Sequence, residues 1–165
     1  MKIILSIKPV FVERIFNGTK KFEFRRSIFK NSRVNKVVIY ASAPISKVVG
    51  EFEIKSIHKK ALNELWAETN EFSGISKDYF FDYFKGKSEG YALEVKKVKR
   101  YKKQLCIKEE FGLFPPQSFT YLKEESTYTQ SSSPPRQQTL AGRGSHTTVR
   151  TGLVYGGSLS HRKQR

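Results

Sequence analysis

Cysteine, methionine and tryptophan each occur once among 165 residues, and histidine three times. One Cys excludes a disulfide framework, and so few Cys and His supply no ligand set for zinc, so neither a metal nor a cofactor is expected. His58, His146 and His161 have no carboxylate or Cys at ligand spacing. No apolar run reaches the 18 residues a membrane-spanning helix needs. The apolar opening, Met1 to Pro9, is too short and too soon broken for a signal peptide, so the expected compartment is the cytoplasm and no membrane partner is expected. A phosphate-cradling Gly-rich loop and a Ser-nucleophile motif are also missing.

Acidic side chains are scarce as well: 15 Asp and Glu face 31 Lys and Arg, a formal charge of +16. An excess of this size favours polyanions: RNA, DNA or an anionic membrane surface. The charge divides unevenly. Residues 1–122 hold 24 of the basic and 13 of the acidic groups, together with all 13 Phe and every Ile. Residues 123–165 contain Ser131-Ser132-Ser133-Pro134-Pro135 and no Phe, Ile, Met or Trp. Such a stretch cannot bury enough apolar area to offset its ordering entropy and is expected to be a disordered basic tail. Its basic residues are mainly Arg where the body uses Lys, which reads as a read-through, frameshift or fusion scar.

Within 1–122, residues 2–7 read as a short apolar strand. Pro9 opens a helix with Phe11, Val12, Ile15 and Phe16 on one stripe, and Gly18 ends it. Alternation predicts strands at 20–26 and 35–42. A long strand follows from Val48 to Lys60, with Val48, Gly50, Phe52, Ile54 and Ser56 on one face. Strands 35–42 and 46–59 form a hairpin around Pro44. Helices are predicted at 61–70, carrying Leu62, Leu65, Trp66 and Thr69, and after a Ser76 cap, carrying Phe80, Phe81 and Phe84. Tyr91, Leu93 and Val95 alternate in another strand, and a last strand spans part of 104–108. The expected class is α+β: a small, partly closed β-barrel with two or three flanking helices.

At the first helix-to-strand junction the chain reads Gly18-Thr19-Lys20-Lys21-Phe22-Glu23-Phe24-Arg25-Arg26. This resembles Gly-x-Lys-x-x-Glu-x-Arg, the signature of the ASCH domains of the PUA-like superfamily. Val38 to Pro44 and Val48 to Phe52 resemble the family's second hairpin. Leu65-Trp66, Ser73 to Ser76, Tyr83 to Lys87 and Gly90 to Leu93 resemble its helical insert and following strand, and Pro115 to Leu122 its C-terminus. The resemblance spans 1–122. It implies a PUA-like fold associated with RNA binding, a cleft beside the barrel lined by signature residues, and members labelled predicted transcriptional regulators. One branch resembles an N4-acetylcytidine amidohydrolase using Lys, Thr and Glu. There Lys20 falls at the catalytic Lys, Glu23 replaces the Thr, and Glu71 stands near the acid but out of register.

The residues themselves support an anion and base site. Lys20 and Lys21 follow a helix end, and Arg25 offers a planar fork for a phosphate or base edge, with Arg26 beside it. Glu23 shares a strand face with Arg25. Lys20 and Glu23 are the candidate acid–base pair. A second basic run, Lys96-Lys97-Val98-Lys99-Arg100-Tyr101-Lys102-Lys103, is expected to divide over both faces of a strand as a rim, with Lys99 and Arg100 on the backbone and Tyr101 available to stack on a base. Tyr40, Ser42 and Gln117 complete the candidate contacts. The expected function is nucleic-acid binding, RNA above DNA, with a regulatory role. The alternative is an enzyme on RNA or a modified nucleoside, a ribonuclease or an N4-acetylcytidine amidohydrolase-like hydrolase.

Overall fold

The computed structural model describes residues 1–123. The predicted tail therefore lies outside the described residues, save for Lys123. One curled six-stranded sheet organises the domain: β1 (Lys2–Ile7), β2 (Phe22–Arg25), β3 (Lys36–Ala41), β4 (Lys47–Ala61), β5 (Glu89–Leu105) and β6 (Phe119–Tyr121). Their spatial order is β2-β5-β4-β3-β1-β6. Neighbours run antiparallel except β1 and β3, which are parallel. Four short helices flank the sheet: α1 (Pro9–Phe16), α2 (Leu62–Thr69), α3 (Lys77–Tyr83) and α4 (Ile107–Phe111). This is the α+β small-barrel class read from the sequence. No helix among the described residues is long and apolar enough to cross a membrane.

The near-continuous apolar runs of β1 and β3 arise because both faces of the sheet centre are covered. Ile3, Leu5, Ile7, Val37 and Ile39 pack with Val12 and Ile15 of α1 on one face. Ile4, Val38 and Tyr40 pack with Ile107 of α4 on the other. A third cluster belongs to the insert between β4 and β5, where Leu65, Phe80 and Phe84 close over Phe24 and Ala92. Ser76 starts α3 by accepting from the Tyr79 amide at 3.2 Å, and Gly86 follows its end with φ +79°.

Two expectations are corrected here. The stretch 104–108 is not a separate strand: β5 runs on to Leu105, and Ile107 begins α4. Strict alternation in β4 also fails. Val48 packs in the α4-side cluster, whereas Val49 and Phe52 pack on the α1 side. The physical cause is a bulge against β3: Ile39 pairs with Gly50 and Tyr40 with Val48, which leaves Val49 as an extra residue. The hairpin predicted around Pro44 is present, with a cis Ala43–Pro44 bond in its turn.

Gly50 sits where Phe16 of α1 packs onto the ladder. A Cβ there would lie 2.4 Å from the Lys99 carbonyl oxygen and 2.7 Å from Phe16. Gly50→Ala is therefore expected to destabilise the domain by about 1–3 kcal/mol through overpacking, read as a lower urea midpoint at unchanged m. Wild-type stability in that variant would mean that α1 is not held against β4 at this point.

Candidate functional site

The signature lies where α1 turns back into the edge strand β2. Gly18, with φ +82°, reverses the chain, and the Lys20 amide donates to the Arg14 carbonyl at 2.9 Å. Lys20 then enters the interior beneath the insert, and its side chain is only 2% exposed. Its Nζ donates to the Ser73 carbonyl at 2.9 Å and lies 4.6 Å from the Phe24 ring centre. Gly74 makes this possible. It has φ +64°, and a Cβ there would lie 2.5 Å from Lys20 Cβ. Arg14 pins the same loop from the other side, donating to the Gly74 carbonyl at 2.6 Å.

Glu23 Oε2 lies 3.8 Å from Lys20 Nζ, and Glu23 Oε1 lies 3.7 Å from Arg25 Nη1. Burial outweighs this attraction for both partners. The Lys20 ammonium is pushed down to about 8 by desolvation, opposed by the Glu23 charge and reinforced by Arg14. The Glu23 carboxyl is pushed up by desolvation, against the pull of Lys20 and Arg25. Two groups that ordinarily titrate far apart are thus drawn toward neutrality within one cluster, the electrostatic condition for acid–base chemistry.

Above this pair opens a cleft of about 310 Å³. One wall is aromatic: Phe11 of α1 meets Tyr79 of α3 edge to face at 5.4 Å, and Tyr83 donates to the Phe24 carbonyl at 3.3 Å. Lys8 donates to the Tyr79 hydroxyl at 3.3 Å at the rim. The other wall is polar, with Ser6, Ser42 and Gln117 beside Arg25. An aromatic wall facing hydrogen-bonding groups over a buried charge suits a planar, polar-edged ligand with an anionic group.

Lys20, Glu23, Arg25, Ser42 and Gln117, all singled out in the sequence, line this cleft together. The Arg25 fork is already engaged: Nη1 donates to the Ser6 carbonyl at 3.2 Å and Nη2 to Ser118 Oγ at 2.5 Å. Arg25 thus ties β2 to the ends of β1 and β6 and partly neutralises Glu23. The remaining candidates lie elsewhere. Tyr40 is buried in the α4-side cluster. Lys21 is exposed, with its Nζ 3.6 Å from the Phe72 ring centre, and Arg26 donates to the Lys85 carbonyl at 3.1 Å. Lys99, Arg100 and Tyr101 belong to β5, with the Tyr101 hydroxyl donating to Glu51 at 2.9 Å. Glu71 is exposed on a 3-10 turn and does not line the cleft.

The sequence reading missed Ser6, Lys8, Phe11, Tyr79 and Tyr83. Phe11 was legible as part of an apolar stripe, but only the fold reveals that it faces a cavity. His58 also differs from expectation. It lies 3.7 Å from both Glu68 and Glu94, which come from distant parts of the chain.

Residues 1–113 match a family model described as a domain of unknown function, DUF365. An ASCH domain-containing ribonuclease of Zymomonas mobilis is 32% identical over 127 residues, covering 75% of this chain and 86% of the relative. Large ribosomal subunit protein uL22 of Ureaplasma parvum is 30% identical over 121 residues, covering 73% of this chain, which spans only 39% of that relative's length. The crystal structure of ASCH from Zymomonas mobilis superposes with a TM-score of 0.69 at 28% identity, covering 75% of this chain and 89% of the other.

The buried charges predict a non-additive stability pattern. Glu23→Leu leaves Lys20 and Arg25 without their shared anion and is expected to cost about 3–5 kcal/mol. Adding Lys20→Met to it is expected to recover much of that loss, because one of the two orphaned cations is gone. A urea-denaturation double-mutant cycle measures this. Strictly additive losses would show that the two side chains are not coupled.

Proposed function

The chain belongs to the ASCH-domain family, and on that premise we propose that it binds RNA, seating one nucleotide of a single strand in the cleft over Lys20 and Glu23. The observation that carries this reading is a buried cation at the floor of a cleft with one aromatic and one hydrogen-bonding wall. A base stacks against Tyr79 and Phe11 and presents its edge to Ser42 and Gln117, while Lys20 faces the sugar–phosphate. The basic composition and the ribonuclease name of a relative that shares the full domain support RNA as the class of ligand.

Cleavage is a second reading, favoured by the lowered Lys20 value. With a pKa of about 8, about one Lys20 in ten is neutral at pH 7, a useful population for a general base. In that role Lys20 takes the proton of the ribose 2′-hydroxyl. The 2′-oxygen then forms a bond to the adjacent phosphorus as the bond to the 5′-oxygen breaks. That leaving oxygen collects its proton from water, so the pH dependence is set by Lys20 alone.

The two readings have opposite pH signatures, both tested with end-labelled single-stranded RNA. If Lys20 serves as a bound cation, affinity is expected to fall as pH rises through about 8, where the ammonium is lost, and Lys20→Met is expected to remove that pH dependence. If Lys20 is the base, cleavage is expected to rise about tenfold per pH unit and level off above about 8. RNA affinity that is independent of pH and of Lys20→Met, with no cleavage, would overturn both.

A further inference from the structure

The basic stretch of β5 and the cleft sit on opposite flanks of one short helix. Lys8, at the start of α1, and Phe11 line the cleft. On the same helix, Glu13 accepts from Arg100 at 2.5 Å, and the Phe16 ring lies 4.3 Å from the Arg100 guanidinium. Eight residues make α1 about 12 Å long, so the step from the cleft mouth to Arg100 is short.

The basic run of β5 lies at the surface. Lys96, Lys97, Lys99, Arg100, Lys102 and Lys103 are all exposed. The ladder beside this run is irregular. From Val48–Leu105 to Gly50–Arg100, β4 advances two residues and β5 five, and Lys97 has φ +47°. The extra residues make this end of β5 an irregular ribbon beside β4. Among the described residues, ion pairs hold Lys97 to Glu53 and Arg100 to Glu13, whereas none is recorded for Lys96, Lys99, Lys102 or Lys103.

Building on the RNA reading above, we infer that the strand seated in the cleft continues across α1 and lays its phosphates along the lysines of β5. A row of uncompensated cations on an irregular ribbon is complementary to a flexible polyanion. The surface lacks an apolar face of the kind that inserts into a lipid bilayer: Val98, at 38% exposure, stands alone among Lys and Arg. Glu13 is the acidic group at the crossing. Arg100 screens it, and a passing phosphate competes with Glu13 for that guanidinium.

The test uses the full chain, fluorescence anisotropy, and two single-stranded RNA probes, a dinucleotide and a dodecanucleotide, over a salt series. Replacing Lys96, Lys99, Lys102 and Lys103 together by Ala is expected to flatten the dodecanucleotide slope of log affinity against log salt by about 3, at the single-strand coefficient per phosphate. Dinucleotide affinity is expected to be unchanged. The same loss of charge at Lys30, Lys77, Lys85 and Lys87 is expected to leave the slope alone, which also controls for the tail common to all variants. Glu13→Gln is expected to tighten dodecanucleotide binding only. If wild-type protein binds both probes equally, or if both quadruple variants flatten the slope alike, the strand path is overturned while the cleft reading stands. Failure to bind either probe overturns both. Binding to phosphatidylserine vesicles that the β5 substitutions abolish, with RNA binding unaffected, would overturn the path and make the ridge a membrane surface.

Discussion

The domain is arranged around one unfavourable act, the removal of Lys20 and Glu23 from water. Neither charge alone would tolerate it, and together they do so incompletely, which is why burial shifts both titrations despite a separation of only 3.8 Å. The surrounding structure supplies what the pair lacks. Ser73 offers its carbonyl to the ammonium, Arg25 offers its charge to the carboxylate, and the Phe24 face lies close to Lys20 Nζ.

Those supports come from β2 and from the insert, so the cluster depends on both being held together. The insert of α2 and α3 has its own apolar cluster, and that cluster anchors the loop bearing Ser73 and Gly74 over Lys20. On the opposite side, Arg25 reaches Ser6 at the end of β1 and Ser118 just before β6. The cleft is what remains between the insert, α1 and these strand ends. Burying the pair costs stability that the apolar clusters around it must offset.

The elements and their order were largely legible because periodicity and punctuation agreed: Pro9 and Gly18 around α1, Ser76 before α3, and alternation in β2. The three charged signature residues were legible through the ASCH resemblance, and the fold brings all three into one cleft. What escaped has a common cause. Ser6, Phe11, Tyr79 and Tyr83 are far apart in sequence, and each looks locally like an ordinary strand, core or helix residue. His58 meets Glu68 and Glu94 only through strand pairing and the packing of α2. The register shifts of the β4–β5 ladder were equally hidden. Alternation in sequence carries no mark of an inserted residue, so the extra residue of β4 opposite β3 and the division of Val48 from Phe52 emerge only from the paired backbone.

The central claim, a desolvated lysine coupled to a desolvated carboxylate, is accessible to direct measurement. Heteronuclear NMR of the Lys20 side chain, followed through a pH titration and assigned with Lys20→Met, reads its ionisation without any ligand or assay. The account predicts a midpoint of about 8, well below the ordinary 10.5, moving further down in Glu23→Gln as the opposing carboxylate charge is removed. A Lys20 midpoint near the ordinary 10.5, unaffected by Glu23→Gln, would contradict it.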